Sequence, residues 1–260
     1  MFCVLRHACA EYRDCENMRI LIIRHGDPDY SIDSLTEKGF REAYLLADRL
    51  EHEQIDDIYC SIYGRAKDTA AETLRRKNMT ATYCDWLREV DYMNCGDPQN
   101  PGAQRHIWDF LPRYFCPQED LYQKDGWKES DWIKNTDVPR HYDNVCAELD
   151  KVLAKHGYIR SGNMYKSEQG NHDTIAFFCH FGCESILLSH LLNTSPFVFL
   201  QNFCALTTSV TTIYTEERIK GEVSLRCAGF GDISHLYKGG EQASFAARFC
   251  ECFEDDTRHI

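Results

Sequence analysis

The sequence predicts an α/β fold, and three observations carry that prediction. The stretch Arg19 to Gly26 joins an apolar run, Ile20 to Ile23, to Arg24, His25 and Gly26. The run is rich in β-branched residues and too short for a helix, so it reads as a buried strand. Thr174 to His180 repeats the pattern, an apolar run ending in a histidine. Around these two strands, stretches of helical period alternate with further strand-like runs, the order of an open α/β sheet whose ligands bind at the carboxyl ends of the strands. A cation and an imidazole stand at that end of the first strand, where Gly26 permits a sharp turn and close approach of a ligand. The competing reading is an ordinary strand end with a solvated Arg-His pair; the second histidine strand weighs against it.

Met1 to Asn17 has no clear period, and the organised chain starts at Met18, so residues 1–17 read as an appendage to a domain spanning 18–260, or Met18 as the natural start. After Gly26 comes a turn-rich loop, Asp27 to Ser31. A helix follows from Thr36 or Glu37 to Leu50, with Phe40, Ala43, Ala47 and Leu50 on one apolar face and Ser34 or Thr36 as its N-cap. Ile55 to Ser61 reads as a second strand, and Arg65 to Leu74 as a helix. Arg65 therefore sits where a strand gives way to a helix N-terminus, a place that favours anions, and its planar fork suits a phosphate. A plain surface arginine is the alternative. Thr80 to Tyr83 is a short strand. Trp86 to Tyr92 then sets Glu89 and Asp91 among apolar residues, surroundings that raise a carboxyl pKa and suit a general acid.

Residues 93–135 are irregular, rich in proline and aromatics, and read as an insertion folding over the site, its aromatics mainly local core. Tyr142 to Lys155 has the period of an amphipathic helix stopped by Gly157. A helix through Leu192 follows His180; Ala205 to Tyr214 and Val223 to Cys227 are strands, and Gln242 to Phe253 a terminal helix.

Composition narrows the function. With 43% hydrophobic residues in 260, the chain can build a sizeable core. No run approaches the roughly 20 apolar residues of a membrane span, and Met1 to Asn17 lacks the apolar block of a signal peptide. A formal charge of −12 argues against nucleic-acid or anionic-membrane partners. The 14 cysteines are scattered through a chain too long for a disulfide scaffold and read as reduced thiols in a cytoplasm. Short metal-ligand spacings such as Cys-x-x-Cys or His-x-x-x-His are missing, so neither a metal nor another cofactor is expected. No feature specifies an oligomeric state.

Taken together, Arg24-His25-Gly26, Leu35-Thr36-x-x-Gly39, Ser61-x-x-x-Arg65-Ala66-x-x-Thr69-Ala70, Leu87-x-Glu89 and the strand-terminal His180 resemble the histidine phosphatase superfamily, in its phosphoglycerate-mutase-like branch. The resemblance runs over most of Met18 to Leu236. It implies a three-layer α/β/α sandwich with a mostly parallel central sheet, and a metal-independent phosphomonoester hydrolase acting on a small phosphorylated metabolite. His25 would form a phosphohistidine, Glu89 would be the proton donor, and Arg24, Arg65 and His180 would stabilise the phosphoryl group, with Ser31 at a position where the family commonly has a phosphate-contacting asparagine. The chain departs from the family in placing Phe181 before Gly182 after the second histidine, and in lacking the Gly-x-Trp-Glu-Gly that often follows the acidic residue, which leaves Asp91 as a rival to Glu89. The competing functions are a phosphoglycerate-type mutase, a non-catalytic phospholigand-binding module and a metal-dependent hydrolase.

Overall fold

In the computed structural model, described here for residues 17–97 and 102–246, the chain runs β1 (Arg19–Arg24), β2 (Pro28–Asp29), β3 (Ser34–Leu35), α1 (Glu37–Leu50), β4 (Asp57–Ser61), α2 (Gly64–Lys77), β5 (Thr82–Cys84), β6 (Asn94–Gly96), β7 (Gln104–His106), α3 (Pro112–Phe115), α4 (Val138–Lys155), β8 (Ile159–Ser161), β9 (Met164–Lys166), β10 (Thr174–Cys179), α5 (Phe181–Leu191), α6 (Pro196–Asn202), β11 (Val210–Ile219), β12 (Glu222–Asp232) and α7 (Ser234–Gly239). Eight of these strands form one sheet in the order β5-β4-β10-β1-β11-β12-β9-β8. The pairings from β5 to β1 are parallel. Those from β1 to β8 are antiparallel, an extension built of hairpins that the expectation of a mostly parallel sheet did not include.

The apolar runs of β1 and β10 are continuous because both faces of the sheet are covered. Ile20 and Ile22 of β1 join Ile175 and Phe177 of β10, Leu149 of α4 and Ile186 of α5 in one cluster. Leu21 and Ile23 join Ala176, Phe178, Leu46 of α1 and Ala66 and Ala70 of α2 in the other. Alternate residues of a strand point to opposite faces, so one short strand anchors both layers.

Several elements differ from their sequence reading. Phe40 is 51% exposed, and Leu46 takes its place on the inner face of α1. Thr36 is the N-cap, its side chain accepting the Gly39 N–H at 3.1 Å. Helix α4 starts four residues before Tyr142, with Pro139 in its first turn, where the missing N–H costs nothing. Ala205 to Ser209 is a turn rather than strand, because Thr208 has left-handed backbone, φ 54°. Residues 241–246 are not helical, and the rest of the expected terminal helix, like nearly all of the 1–17 appendage, lies outside the described residues. The described part of 93–135 is stitched into the first cluster through Cys95, Ile107, Phe110, Phe115, Leu121 and the fully buried Trp127. Among the described residues no helix is long and apolar enough to cross a membrane.

Candidate active site

The site follows from strand register. Arg24 pairs with Cys179 across the parallel β1 and β10, so the next residues, His25 and His180, leave adjacent strand ends side by side. Their rings lie 5.0 Å apart, and the His25 N–H donates to the Cys179 carbonyl at 3.0 Å. Strand β4, on the other side of β10, ends at Ser61, whose hydroxyl is 2.9 Å from His180 Nε2. Three residues on, α2 begins, and Arg65 in its first turn is buried. Thr69, one turn further, accepts the Gly26 N–H at 2.9 Å and donates to the Arg65 carbonyl at 2.7 Å, tying the loop after His25 to the helix that carries Arg65. On the other side of that loop, a Cβ on Gly26 would stand 2.9 Å from the Gly39 carbonyl oxygen and one on Gly39 2.2 Å from the Asp27 carbonyl oxygen, which accounts for the glycines of both the Arg-His-Gly and the Leu-Thr-x-x-Gly stretches.

Charge and burial set the protonation states. Burial pushes the His25 imidazole well below its ordinary range, and Arg24 and Arg65 push it the same way, against the hydrogen bond to Gly26. That bond joins His25 Nδ1 to the Gly26 carbonyl at 2.7 Å. A carbonyl only accepts, so Nδ1 carries the proton and Nε2 keeps its lone pair. His180 is likewise held well below its usual range, first by burial and then by His25 and the two arginines. Arg24 is 2% exposed and donates through Nη1 to the Ala205 carbonyl. Three buried nitrogens, Nε of Arg24, Nε of Arg65 and Nδ1 of His180, have no hydrogen-bond partner among the described residues. Buried donors without partners are costly, so such a set marks a place for an acceptor-rich ligand.

Glu89 faces this cluster from the loop after β5. Its Oε1 accepts the Cys183 N–H at 3.2 Å and its Oε2 the Gly182 N–H at 3.4 Å, both in the first turn of α5. Burial raises its pKa; the hydrogen bonds from Val90 and Gly182 and the charges of Arg24 and Arg65 oppose that rise. A Cβ on Gly182 would sit 2.6 Å from Glu89 Oε1 and 3.1 Å from Trp108 of the 93–135 segment. The glycine displaced by Phe181 from its usual family position thus makes room for the carboxyl group. Asp91 is exposed.

Ser31 is exposed, its N–H and hydroxyl both directed to Asp29 Oδ1, at 3.0 and 2.5 Å. The residue of that loop which reaches Arg65 is Asp33, with Oδ1 2.6 Å from Nη1 and Oδ2 accepting the Gly64 N–H at 2.7 Å. Sequence reading missed Asp33, the pairing of Ser61 with His180, and Glu184. Glu184 lies fully buried in α5 and accepts the Thr211 hydroxyl at 2.6 Å. A glutamate inside an otherwise apolar helix was the available signal for the last.

Two imidazoles held neutral by burial and by the nearby Arg24 and Arg65, at the carboxyl ends of parallel strands, make a site suited to an anion. Comparison with known proteins identifies the family. The family model of the histidine phosphatase superfamily (branch 1) matches residues 2–137, and the chain belongs to that superfamily. A probable phosphatase of Schizosaccharomyces pombe is 27% identical over 234 residues, 84% of this chain and 95% of that protein. Phosphoserine phosphatase 1 of Hydrogenobacter thermophilus is 34% identical over 89 residues, 34% of this chain and 38% of that protein. In fold, the chain resembles a phosphoserine phosphatase of Entamoeba histolytica solved with phosphoserine, with a TM-score of 0.56 at 18% identity over 84% of this chain and 99% of that one. It also resembles a mycobacterial glucosyl-3-phosphoglycerate phosphatase, with a TM-score of 0.52 at 20% identity over 83% and 99%.

Proposed function

We propose that the chain hydrolyses a phosphate monoester of a small metabolite through a phosphohistidine on His25. The observation that carries this reading is the His25 tautomer, Nδ1 bonded to the Gly26 carbonyl beside two buried arginines, which leaves a neutral Nε2 to attack. In the first step the Nε2 lone pair forms the N–P bond while the bond from phosphorus to the leaving oxygen breaks. Glu89, with its raised pKa, gives that oxygen a proton. In the second step Glu89 takes a proton from water, whose oxygen attacks phosphorus as the N–P bond breaks and inorganic phosphate forms. Throughout, the equatorial oxygens carry the charge, and Arg24, Arg65 and His180, each with a buried nitrogen lacking a partner among the described residues, would hold it. Ser61 fits this use of His180: with its hydroxyl donating to Nε2, at 2.9 Å, the ring proton sits on Nδ1. Ser31 would join the phosphate ligands only by releasing Asp29, and Arg65 would exchange Asp33 for substrate. Buried thiols at Cys60, Cys179 and Cys183 fit a reducing, cytoplasmic setting.

His25→Ala tests the reading. It should abolish phosphate release from alkyl and aryl phosphates while leaving the circular dichroism spectrum unchanged, because the ring lines the site and is absent from both apolar clusters. Retention of most activity would exclude His25 as nucleophile.

A further inference from the structure

Among the described residues, Thr208 is the only β-branched one with left-handed backbone, φ 54°. For such a residue this conformation is an outlier, and it persists only where its surroundings hold it. Here the Thr208 N–H donates to the His25 carbonyl at 3.2 Å, its hydroxyl donates to the Thr207 carbonyl at 2.7 Å, and His235 Nε2 lies 3.1 Å from the hydroxyl oxygen. Because the hydroxyl proton is used on Thr207, the imidazole is the donor and carries its proton on Nε2. Burial keeps His235 neutral, its pKa pushed down to about 4 with Arg49 adding to the effect. The same turn supplies the Ala205 carbonyl to the Arg24 side chain and the Ser209 carbonyl to the Arg24 N–H at 3.2 Å. Residues Ala205 to Ser209 therefore grip both members of the Arg24-His25 pair, and α7 grips the turn through one imidazole.

We propose that Thr208 and His235 are positioning residues that hold the backbone of His25 so that its Nε2 stays in the attacking pose. The proposal rests on the phosphohistidine reading above and deepens it. It gives a role to the Gly229 to Leu236 stretch, whose strand and short helix otherwise only close the sheet and pack against α1.

Three variants test it. His235→Leu removes the donor, His235→Gln keeps an N–H at similar reach, and Thr208→Val keeps the branched shape without the hydroxyl. In His235→Leu and Thr208→Val, kcat should fall roughly 10- to 100-fold, the cost of a small misplacement of a reacting group. KM should stay within about twofold, because uniform binding is untouched. His235→Gln should recover most of the loss. A second readout needs no turnover: in protein labelled with 15N-histidine, His25 should show a single Nδ1–H tautomer in the wild type and in His235→Gln, and a mixture in His235→Leu. An unchanged kcat in His235→Leu, a loss confined to KM, or an unaltered His25 tautomer in that variant would overturn the proposal. So would equal damage from Gln and Leu, which marks a packing role only. A wild type that released no phosphate from any ester would defeat the functional reading separately, and the tautomer measurement would still decide this one.

Discussion

His25 is kept neutral by burial and by two neighbouring guanidiniums, and one carbonyl decides which of its nitrogens keeps a lone pair for the proposed attack. Glu89, the proposed proton donor, is a carboxyl whose proton is held above its usual range while two helix N–H groups bond its oxygens. An alkoxide needs that proton to leave, whereas a nitrophenolate leaves unaided. Glu89→Gln should therefore lose roughly 10²- to 10⁴-fold in kcat on an alkyl phosphate and far less on nitrophenyl phosphate. Equal losses on both substrates would make Glu89 a positioning residue, and a matching pattern in Asp91→Asn would move the proton donor there. Glu184 permits a different measurement. Burial pushes its pKa up to about 7 from 4.5, with the Thr211 hydroxyl and Arg24 opposing. A carboxyl raised in the folded state stabilises fully below its unfolded pKa, and that contribution is lost as pH rises through the folded value. The window is thus about pH 4.5 to 7, and the loss is about 3 kcal/mol at about 1.4 kcal/mol per pH unit. Relative to wild type, Glu184→Gln should gain thermal stability as pH rises across that window; a difference independent of pH would show that Glu184 ionises normally.

At the scale of elements, α5 joins two residues of the proposed chemistry: its N-cap is His180 and its first-turn N–H groups donate to Glu89. Gly182→Ala should lower stability by about 1–3 kcal/mol, the usual cost of overpacking, and should lower kcat on alkyl phosphates by displacing the carboxyl. A variant with wild-type melting and kcat would show that the close approach is not needed. Strands β1 and β10 were legible because each is an apolar run buried on both faces and cut off by a histidine. Arg24, His25, Arg65, Glu89 and His180, which the fold brings together, could be singled out for a related reason, since each lies near a strand or helix end. The pairing of Ser61 with His180, and Asp33, Glu184 and Thr208, were not, because these contacts are set by crossovers between distant segments, which hydrophobic period does not encode. The turn at Ala205 was read as strand because threonine and valine favour extended backbone, a local preference overruled here by hydrogen bonds to Arg24 and His25. Phe40 matched the helical period of α1 and still faces solvent, where Leu46 and Ala43 fill the inner stripe.

The whole molecule divides its sheet by task. The parallel half places strand ends, and with them the imidazoles and arginines, in one crevice, while the antiparallel half closes the far side and returns the Ala205 to Ser209 turn to the site. On a chain with a formal charge of −12 the proposed anionic substrate would be attracted only locally, by the buried guanidiniums of Arg24 and Arg65, whose Nε atoms have no partner among the described residues. The proposed mechanism turns on a bond between phosphorus and His25 Nε2. Wild-type protein mixed with a slowly hydrolysed 32P-labelled ester and quenched in alkali should carry label on a His25 peptide, stable in base and released in acid as a phosphoramidate is, while His25→Ala should carry none. Turnover without label on His25, or equal label on the alanine variant, would contradict the mechanism.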